Sequence, residues 1–290
     1  MDNCFTLKND VQIPKMMIGT YNIFGEAAKN VFKAAYAAGF RAIDCGRYYG
    51  NEKDWGEALK ASGAKREDIF IQTKVSHADE KQTDFDVIKD FETTLTNFST
   101  EYIDCLLVHW PNMNTFQETW HSLEKLYKAG KVRAIGVSNF RREHFELLKQ
   151  TAEIVPMVNQ IERHPCRKQP ETYDYCQEHG ILLEAYQPLA VAKPELMKNE
   201  LLMDIAAKHE CSVPQVALAW NIATNVIPLP RSTNPKRLQE NFNALHVQLT
   251  DNEISAITND HEHYFRALTE GIEYPGYWDE IHKVEIEKYL

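Results

Sequence analysis

The feature that most constrains the fold is an alternation repeated along nearly the whole chain. Short apolar runs are separated by longer amphipathic segments, and the unit recurs about eight times. The runs fall at residues 16–19, 42–44, 69–74, 103–109, 134–138, 157–160, 181–186 and 226–228. Several are apolar without a break, as strands buried on both faces of a parallel sheet must be. Helical patterns lie between them: residues 27–38 run into Gly39, residues 115–129 into Gly130, and residues 171–179 into Gly180. Glycine tolerates the left-handed conformation that ends many helices. A strand–helix unit repeated about eight times predicts an α/β chain folded as a TIM (β/α)8 barrel. A doubly wound sheet is the competing arrangement. It wants a G-x-G-x-x-G turn after the first strand, and the sequence has none.

The two ends depart from a plain barrel. Residues 5–7 and 11–13 flank Lys8-Asn9-Asp10, which predicts an N-terminal β-hairpin. From about Asn259 the periodicity fades, and the segment carries Tyr264, Phe265, Tyr274, Tyr277 and Trp278. An aromatic segment must pack on something. The expectation is a C-terminal tail folded across the rim as one wall of a pocket, near Trp110 and Tyr21. No linker or low-complexity stretch interrupts the chain, so residues 1–290 are expected to form one barrel domain.

Composition narrows the function classes. Lys plus Arg number 32 against 42 Asp plus Glu, a net charge of -10. A general nucleic-acid or anionic-membrane binder needs a cationic face, so neither partner is expected. A local cationic pocket for a phosphate remains compatible with that charge. No apolar stretch approaches the roughly 20 residues of a spanning helix, and the first ten residues lack the apolar core of a signal peptide. The 6 cysteines include no C-x-x-C pair, which leaves a reduced, cytoplasmic chain as the expectation. His261 and His263 form an H-x-H without further ligands at metal spacing, so no metal is expected. No G-x-S-x-G elbow marks a serine hydrolase.

In a TIM barrel the chemistry collects at the C-terminal ends of the strands. The residues closing the runs are polar or ionisable: Asp44, Lys74, His109, Ser138 with Asn139, Gln160, and Tyr186. Tyr49 lies in the loop after Asp44. Any one of them reads equally well as a satisfied rim side chain, and Asp44 with Lys74 as a structural ion pair. A whole ring of them at one rim reads as a site.

These residues carry a family resemblance. Arg41-Ala42-Ile43-Asp44-Cys45-Gly46-Arg47-Tyr48-Tyr49-Gly50-Asn51-Glu52 resembles the first signature of the aldo-keto reductases. Lys74 falls where their lysine follows the third strand, and Leu106-Leu107-Val108-His109-Trp110-Pro111 resembles their histidine strand. Gly136-Val137-Ser138-Asn139-Phe140 and Asn159-Gln160-Ile161-Glu162-Arg163-His164-Pro165 resemble two further blocks. Ile227-Pro228-Leu229-Pro230-Arg231-Ser232, followed by Arg237-Leu238-Gln239-Glu240-Asn241, is similar to the cofactor signature. The likeness runs in order from about Phe5 to Leu268.

The resemblance implies reduction of aldehydes and ketones to alcohols by hydride transfer from NADPH. It makes Tyr49 the general acid and completes a catalytic tetrad with Asp44, Lys74 and His109. Lys74 is expected to favour the Tyr49 phenolate and lower its pKa from a reference of about 10, with Asp44 holding Lys74. The implied cofactor contacts are Thr20, Ser138, Asn139, Gln160, Tyr186, Gln187, Leu189, Arg231, Ser232, Arg237, Glu240 and Asn241. Ser138, Asn139 and Gln160 suit a carboxamide, Tyr186 suits stacking on the nicotinamide ring, and Arg231, Ser232 and Arg237 suit a 2′-phosphate. Gln187 stands where the family usually has Ser, and Arg231 where Lys is commoner. Tyr21, Tyr48, His109 and Trp110 are the implied substrate contacts, Tyr21 replacing a more usual tryptophan. They suit small polar aldehydes, ketones or open-chain sugars. The compact segment after His109 resembles short-loop microbial members and implies an open site, and the expected enzyme is a monomer. Two other readings stay open: a redox-sensing or structural partner barrel, and a barrel enzyme that uses Lys74 as a Schiff base.

Overall fold

The computed structural model describes residues 3–75, 87–112, 114–261 and 264–267. A short antiparallel hairpin opens the chain, β1 (Cys4–Thr6) and β2 (Gln12–Pro14), with Phe5 opposite Ile13. Its turn reaches the strand entrances: Asn9 Nδ2 donates to the Arg133 carbonyl at 2.8 Å, and Lys8 Nζ donates to the His179 carbonyl. The hairpin therefore covers the end of the barrel opposite the rim where chemistry is expected.

Eight strands then alternate with helices. They are β3 (Ile18–Gly19), β4 (Ala42–Asp44), β5 (Phe70–Val75), β6 (Ile103–Val108), β7 (Val132–Ser138), β8 (Val158–Glu162), β9 (Leu182–Tyr186) and β10 (Val226–Pro228). Each pairs in parallel with the next. Two further hydrogen bonds join the last to the first, Met17 N to the Pro228 carbonyl at 3.3 Å and Gly19 N to the Pro230 carbonyl at 3.0 Å. They close the sheet into a (β/α)8 barrel and leave no open edge.

The helices are α1 (Gly25–Ala38), α2 (Glu52–Ser62), α3 (Val87–Phe98), α4 (Phe116–Lys128), α5 (Arg142–Leu148), α6 (Pro170–Glu178), α7 (Pro194–Met197), α8 (Glu200–Lys208), α9 (Val213–Ala223), α10 (Pro235–Asn243) and α11 (Asp251–Asn259). Local chemistry sets several ends. Gly39 stops α1 at φ 114° while its N–H returns to the carbonyls of Ala35 and Tyr36. Ser212 with Gln215, and Thr250 with Glu253, form reciprocal capping boxes that start α9 and α11. Among the described residues no helix is long and apolar enough to cross a membrane.

The expected strands form where the apolar runs lie, with differences that matter for the site. Residues 16 and 17 stay outside the strand ladder of β3, although Met17 still bonds across the closure. Lys74 does not close its strand, because β5 continues to Val75. Gln160 lies two residues before the end of β8, because Ile161 and Glu162 extend the ladder along β9. Gln160 therefore sits one layer below the rim.

The start of the C-terminal segment is anchored. Phe265 N donates to the Cys166 carbonyl at 3.2 Å, and Ala267 N donates to Glu162 Oε1 at 2.6 Å. Arg167 donates to the Tyr264 hydroxyl at 2.6 Å. The expected pocket wall formed by Tyr274, Tyr277 and Trp278 lies outside the described residues, as does His263.

Helix α2 approaches α3 at Gly56. A Cβ there would stand 2.1 Å from the Asn97 carbonyl oxygen and 2.9 Å from Phe98 Cα, both backbone atoms that cannot step aside. Gly56→Ala is expected to lower unfolding stability by about 1–3 kcal/mol, the usual cost of overpacking. Urea denaturation checks this, and an unchanged midpoint would show that the two helices can separate freely.

Candidate active site

The site is built from the barrel interior upward. Register places Gln72 beside Asp44, and Gln160 between Ser138 and Glu184. Barrel interiors are usually layers of branched apolar side chains. Here Asp44, Gln72, Gln160 and Glu184 make a polar layer instead, all of them buried. Lys74 is wholly buried above it and donates to Asp44 Oδ1 at 2.6 Å and to the Cys45 carbonyl at 2.8 Å. Burial alone would lower the ammonium pKa, but the Asp44 charge beside it and the hydrogen bond that Asp44 accepts outweigh that and hold Lys74 above its ordinary value. Thr20 steadies Asp44 from β3: its N–H and its hydroxyl both donate to the Asp44 carbonyl, at 3.1 and 2.8 Å.

Tyr49 ends a single 3-10 turn, Arg47–Tyr49, that follows β4. The next residues lock that turn in place. Asn51 Nδ2 donates to the carbonyls of Thr20 and Ile23 at 2.8 and 3.0 Å. Buried Glu52 accepts from Thr73 Oγ1 at 2.7 Å, from both Thr94 and Asn97 on α3, and from Arg47 at 3.1 Å. Arg47 also pairs with Asp90 at 2.8 Å. One carboxylate thus ties the residue two before Tyr49 to the residue one before Lys74. The Lys74 ammonium lies 5.2 Å from the centre of the Tyr49 ring.

The electrostatics of Tyr49 run against the expectation. Burial pushes its phenol up to about 12, and the Lys74 charge offsets only part of that. The expected net lowering is therefore corrected: a phenolate set among the rim side chains loses more hydration than one neighbouring ammonium restores. Tyr49 is held as the protonated form, a proton donor.

Around Tyr49 the rim is aromatic. The His109 ring lies 5.6 Å from Tyr49 and edge-on to it, with the Trp110 ring tilted at 6.4 Å from His109. Tyr21 meets Tyr49 edge to face at 5.1 Å, and Tyr48 lies 6.4 Å from His109. Tyr21 and Tyr48 are exposed, so this wall faces solvent. Asn139 follows β7 with φ 65°, a conformation that asparagine tolerates better than most residues. Its amide donates to the His109 carbonyl and to Ser138 Oγ, both at 3.1 Å, while its Oδ1 accepts from the Tyr186 hydroxyl at 2.9 Å. Ser138 Oγ donates to the Gln160 carbonyl at 2.9 Å. Gln160 spends its side-chain N–H groups inward, on Asp44 and Glu184.

The remaining sequence-predicted residues gather beside this rim. After Tyr186 the backbone is left-handed at Gln187 and again through Ala190, Val191 and Ala192. The Gln187 amide oxygen is buried with no hydrogen-bond partner among the described residues. Leu189 packs partly buried below it. Arg231 donates to the Tyr21 carbonyl at 3.1 Å, which links the β10 end to the aromatic wall. Asn234 caps α10 by accepting from Lys236 N and Arg237 N. Ser232 is half-buried and Arg237 and Glu240 are exposed near that start, with Asn241 buried on the same helix. An orphaned polar atom beside a ring-faced rim, next to a cationic helix start, fits a long polar dinucleotide with a phosphate at one end.

Three groups escaped the sequence reading: Glu184 and Gln72 in the interior, and Glu52 behind the loop. The available signal was a charged or amide residue inside an apolar run, as in Phe70-Ile71-Gln72 and Leu182-Leu183-Glu184.

A closed barrel with a buried ionic cluster at the C-terminal ends of its strands defines a barrel-enzyme architecture. Comparison with known proteins gives the family. Residues 15–260 match the model of the aldo/keto reductase family. A glyoxal reductase of Bacillus subtilis is 41% identical over 252 residues, covering 87% of this chain and 90% of the relative. A 9,11-endoperoxide prostaglandin H2 reductase of Trypanosoma cruzi is 39% identical over 257 residues, covering 88% and 90%. The crystal structure of an aldo/keto reductase from Brucella melitensis superposes with a TM-score of 0.81 at 36% identity, covering 88% of this chain and 98% of that one. The chain belongs to the aldo/keto reductase family and is an oxidoreductase of that kind.

Removing the Glu52 carboxylate leaves Arg47 with Asp90 alone and frees both Thr73 and the Tyr49 turn. Glu52→Ala is expected to cost about 3 kcal/mol of unfolding stability, as when one partner of a buried charged network is deleted. Guanidinium denaturation measures it, and a loss below about 1 kcal/mol would demote Glu52 to a surface-type contact.

Proposed function

We propose that this protein reduces small aldehydes and ketones, dicarbonyls and open-chain sugars among them, with NADPH as the reductant. The observation that carries the reading is a protonated, half-buried Tyr49 phenol between the Lys74 ammonium and the His109 ring, beside a solvent-facing aromatic wall. The named glyoxal reductase relative supports the substrate class. When bound, the nicotinamide supplies a hydride to the carbonyl carbon.

The chain's own residues do the rest. Tyr49 donates its phenolic proton to the carbonyl oxygen as charge develops there. Lys74 stabilises the phenolate left behind, and Asp44 keeps that ammonium charged and aimed. His109 orients the carbonyl oxygen at the same point. Tyr21, Tyr48 and Trp110 enclose the substrate and exclude part of the water. Ser138, Asn139 and Tyr186 hold the nicotinamide end, above a Gln160 whose N–H groups turn inward, with Thr20, Gln187 and Leu189 along the middle. Arg231, Ser232, Arg237, Glu240 and Asn241 take the phosphorylated ribose.

The Schiff-base alternative is disfavoured by the same geometry. A lysine nucleophile needs a depressed pKa. Lys74 is instead held protonated by Asp44 at 2.6 Å.

Tyr49→Phe is expected to bind NADPH normally, measured by quenching of protein fluorescence, and to lose about 10² to 10⁴ in carbonyl reduction. Near-normal turnover would remove Tyr49 from the role. The pH dependence follows from the raised Tyr49 value. The donor is protonated below that value and lost only as pH rises through it, so kcat/KM for reduction should hold from about pH 6 to 9. For the cofactor, Arg231→Ala with Arg237→Ala should weaken NADPH by at most several kcal/mol, each charged hydrogen bond contributing about 1.5–3 kcal/mol, and leave NADH affinity nearly unchanged. Equal losses for both cofactors would assign these arginines to the fold.

A further inference from the structure

Beneath Tyr49 the barrel holds two carboxyl groups and one ammonium, all buried: Asp44, Glu184 and Lys74. Gln72 Nε2 lies 2.5 Å from Glu184 Oε2 and 3.0 Å from Asp44 Oδ1. Gln160 Nε2 lies 2.8 and 3.0 Å from the same two oxygens. Two amides therefore bridge one oxygen of each carboxyl. The other Glu184 oxygen, Oε1, is buried and has no hydrogen-bond partner among the described residues. A buried carboxylate with an unsatisfied oxygen beside a like charge is unfavourable, whereas the neutral acid is not.

The groups that face Glu184 are few. β4 brings Asp44, β5 brings Lys74 and β6 brings the buried Cys105 thiol, which burial and the Glu184 charge push far up. β8 contributes the neutral Gln160, and β10 carries no titratable residue. With one cation for two carboxyls, and that cation bonded to Asp44, Glu184 is the carboxyl left without a bonded counter-ion.

We propose that Glu184 is a positioning residue that holds a proton near neutrality, and that its charge, relayed through Gln72 and Gln160 to Asp44 and Lys74, sets how firmly Tyr49 holds its own proton. The inference rests on Tyr49 as the acid of carbonyl reduction. Burial and the Asp44 charge push Glu184 up to about 7, against the opposing pull of the two amides and Lys74. Below that value Glu184 is neutral, and the pull of Lys74 toward the Tyr49 phenolate is opposed by burial and the Asp44 charge. Above it, the added negative charge offsets Lys74 and keeps Tyr49 protonated. The device holds the donor in its working form as pH rises.

Glu184→Gln fixes the neutral state with little change in shape. Two readouts test it. The first is an infrared pH titration of the ligand-free protein. The wild type should show the carbonyl stretch of a protonated carboxylic acid that disappears as pH rises through neutrality, and the variant should lack it. The second is the pH profile of kcat/KM for glyoxal with NADPH. The alkaline limb of the variant should move to lower pH by about one unit, the effect of removing one nearby like charge. A loss of stability alone would lower the rate without moving that limb. An absent band in the wild type, or an unmoved limb in the folded variant, overturns the proposal while leaving carbonyl reduction in place. A wild type inactive on every carbonyl tried overturns the functional reading and with it the role toward Tyr49, whatever the band does. Should the variant fail to fold, Gln72→Met removes one bridging donor. The band should then persist to higher pH, and a band unmoved from the wild-type position counts against a proton held on Glu184.

Discussion

The site depends on one contact, the 2.6 Å bond between the Lys74 ammonium and Asp44 Oδ1 at the C-terminal end of the barrel. An ammonium without water is unfavourable by an amount on the scale of a whole domain's stability unless a counter-charge and hydrogen bonds replace its hydration. Asp44 supplies the charge and the Cys45 carbonyl a further acceptor. Thr20, Gln72 and Gln160 in turn bond Asp44. A polar layer therefore stands where barrels of this architecture usually pack branched hydrocarbon. Its reward is a cation already aimed at Tyr49, with no reorganisation left to make during reaction.

Two supports converge on that cation from outside the barrel axis. Glu52 and Asn51 fasten the Tyr49 turn to the loop after β3, to β5 and to α3, so the phenol is carried on a loop with the precision of a strand. On the far side Tyr186, Asn139 and His109 form a chain of bonds across three strand ends. Between them the ring faces of Tyr21, Tyr48 and Trp110 leave a solvent-facing approach. The rigid parts surround the chemistry, and the exposed aromatic residues surround the substrate.

Much of this was readable in advance, for identifiable reasons. The apolar runs marked all the barrel strands, because a strand buried on both faces cannot hide its composition. The rim rule picked out Asp44, Lys74, His109 and Ser138, because C-terminal strand ends point into one concave mouth. The same rule misplaced Gln160 as a rim residue, since pairing with β9 extends β8 by two residues beyond it. Glu184 and Gln72 passed unnoticed inside apolar runs, where a single polar letter does not reveal whether it faces a helix or the barrel axis.

The sequence by itself determined the order of strands and helices, the family, and the residue types gathered at the rim. Periodicity, helix caps and motif spacing are local quantities, written within a dozen residues of one another. Tertiary structure alone decided which charges share a low-dielectric space. It set Glu184 against Asp44 across 140 residues of chain, and it turned the expected acidification of Tyr49 into the opposite shift. Burial and the distance between charges belong to the closed barrel, and no stretch of the chain carries either one before the ring of strands is complete.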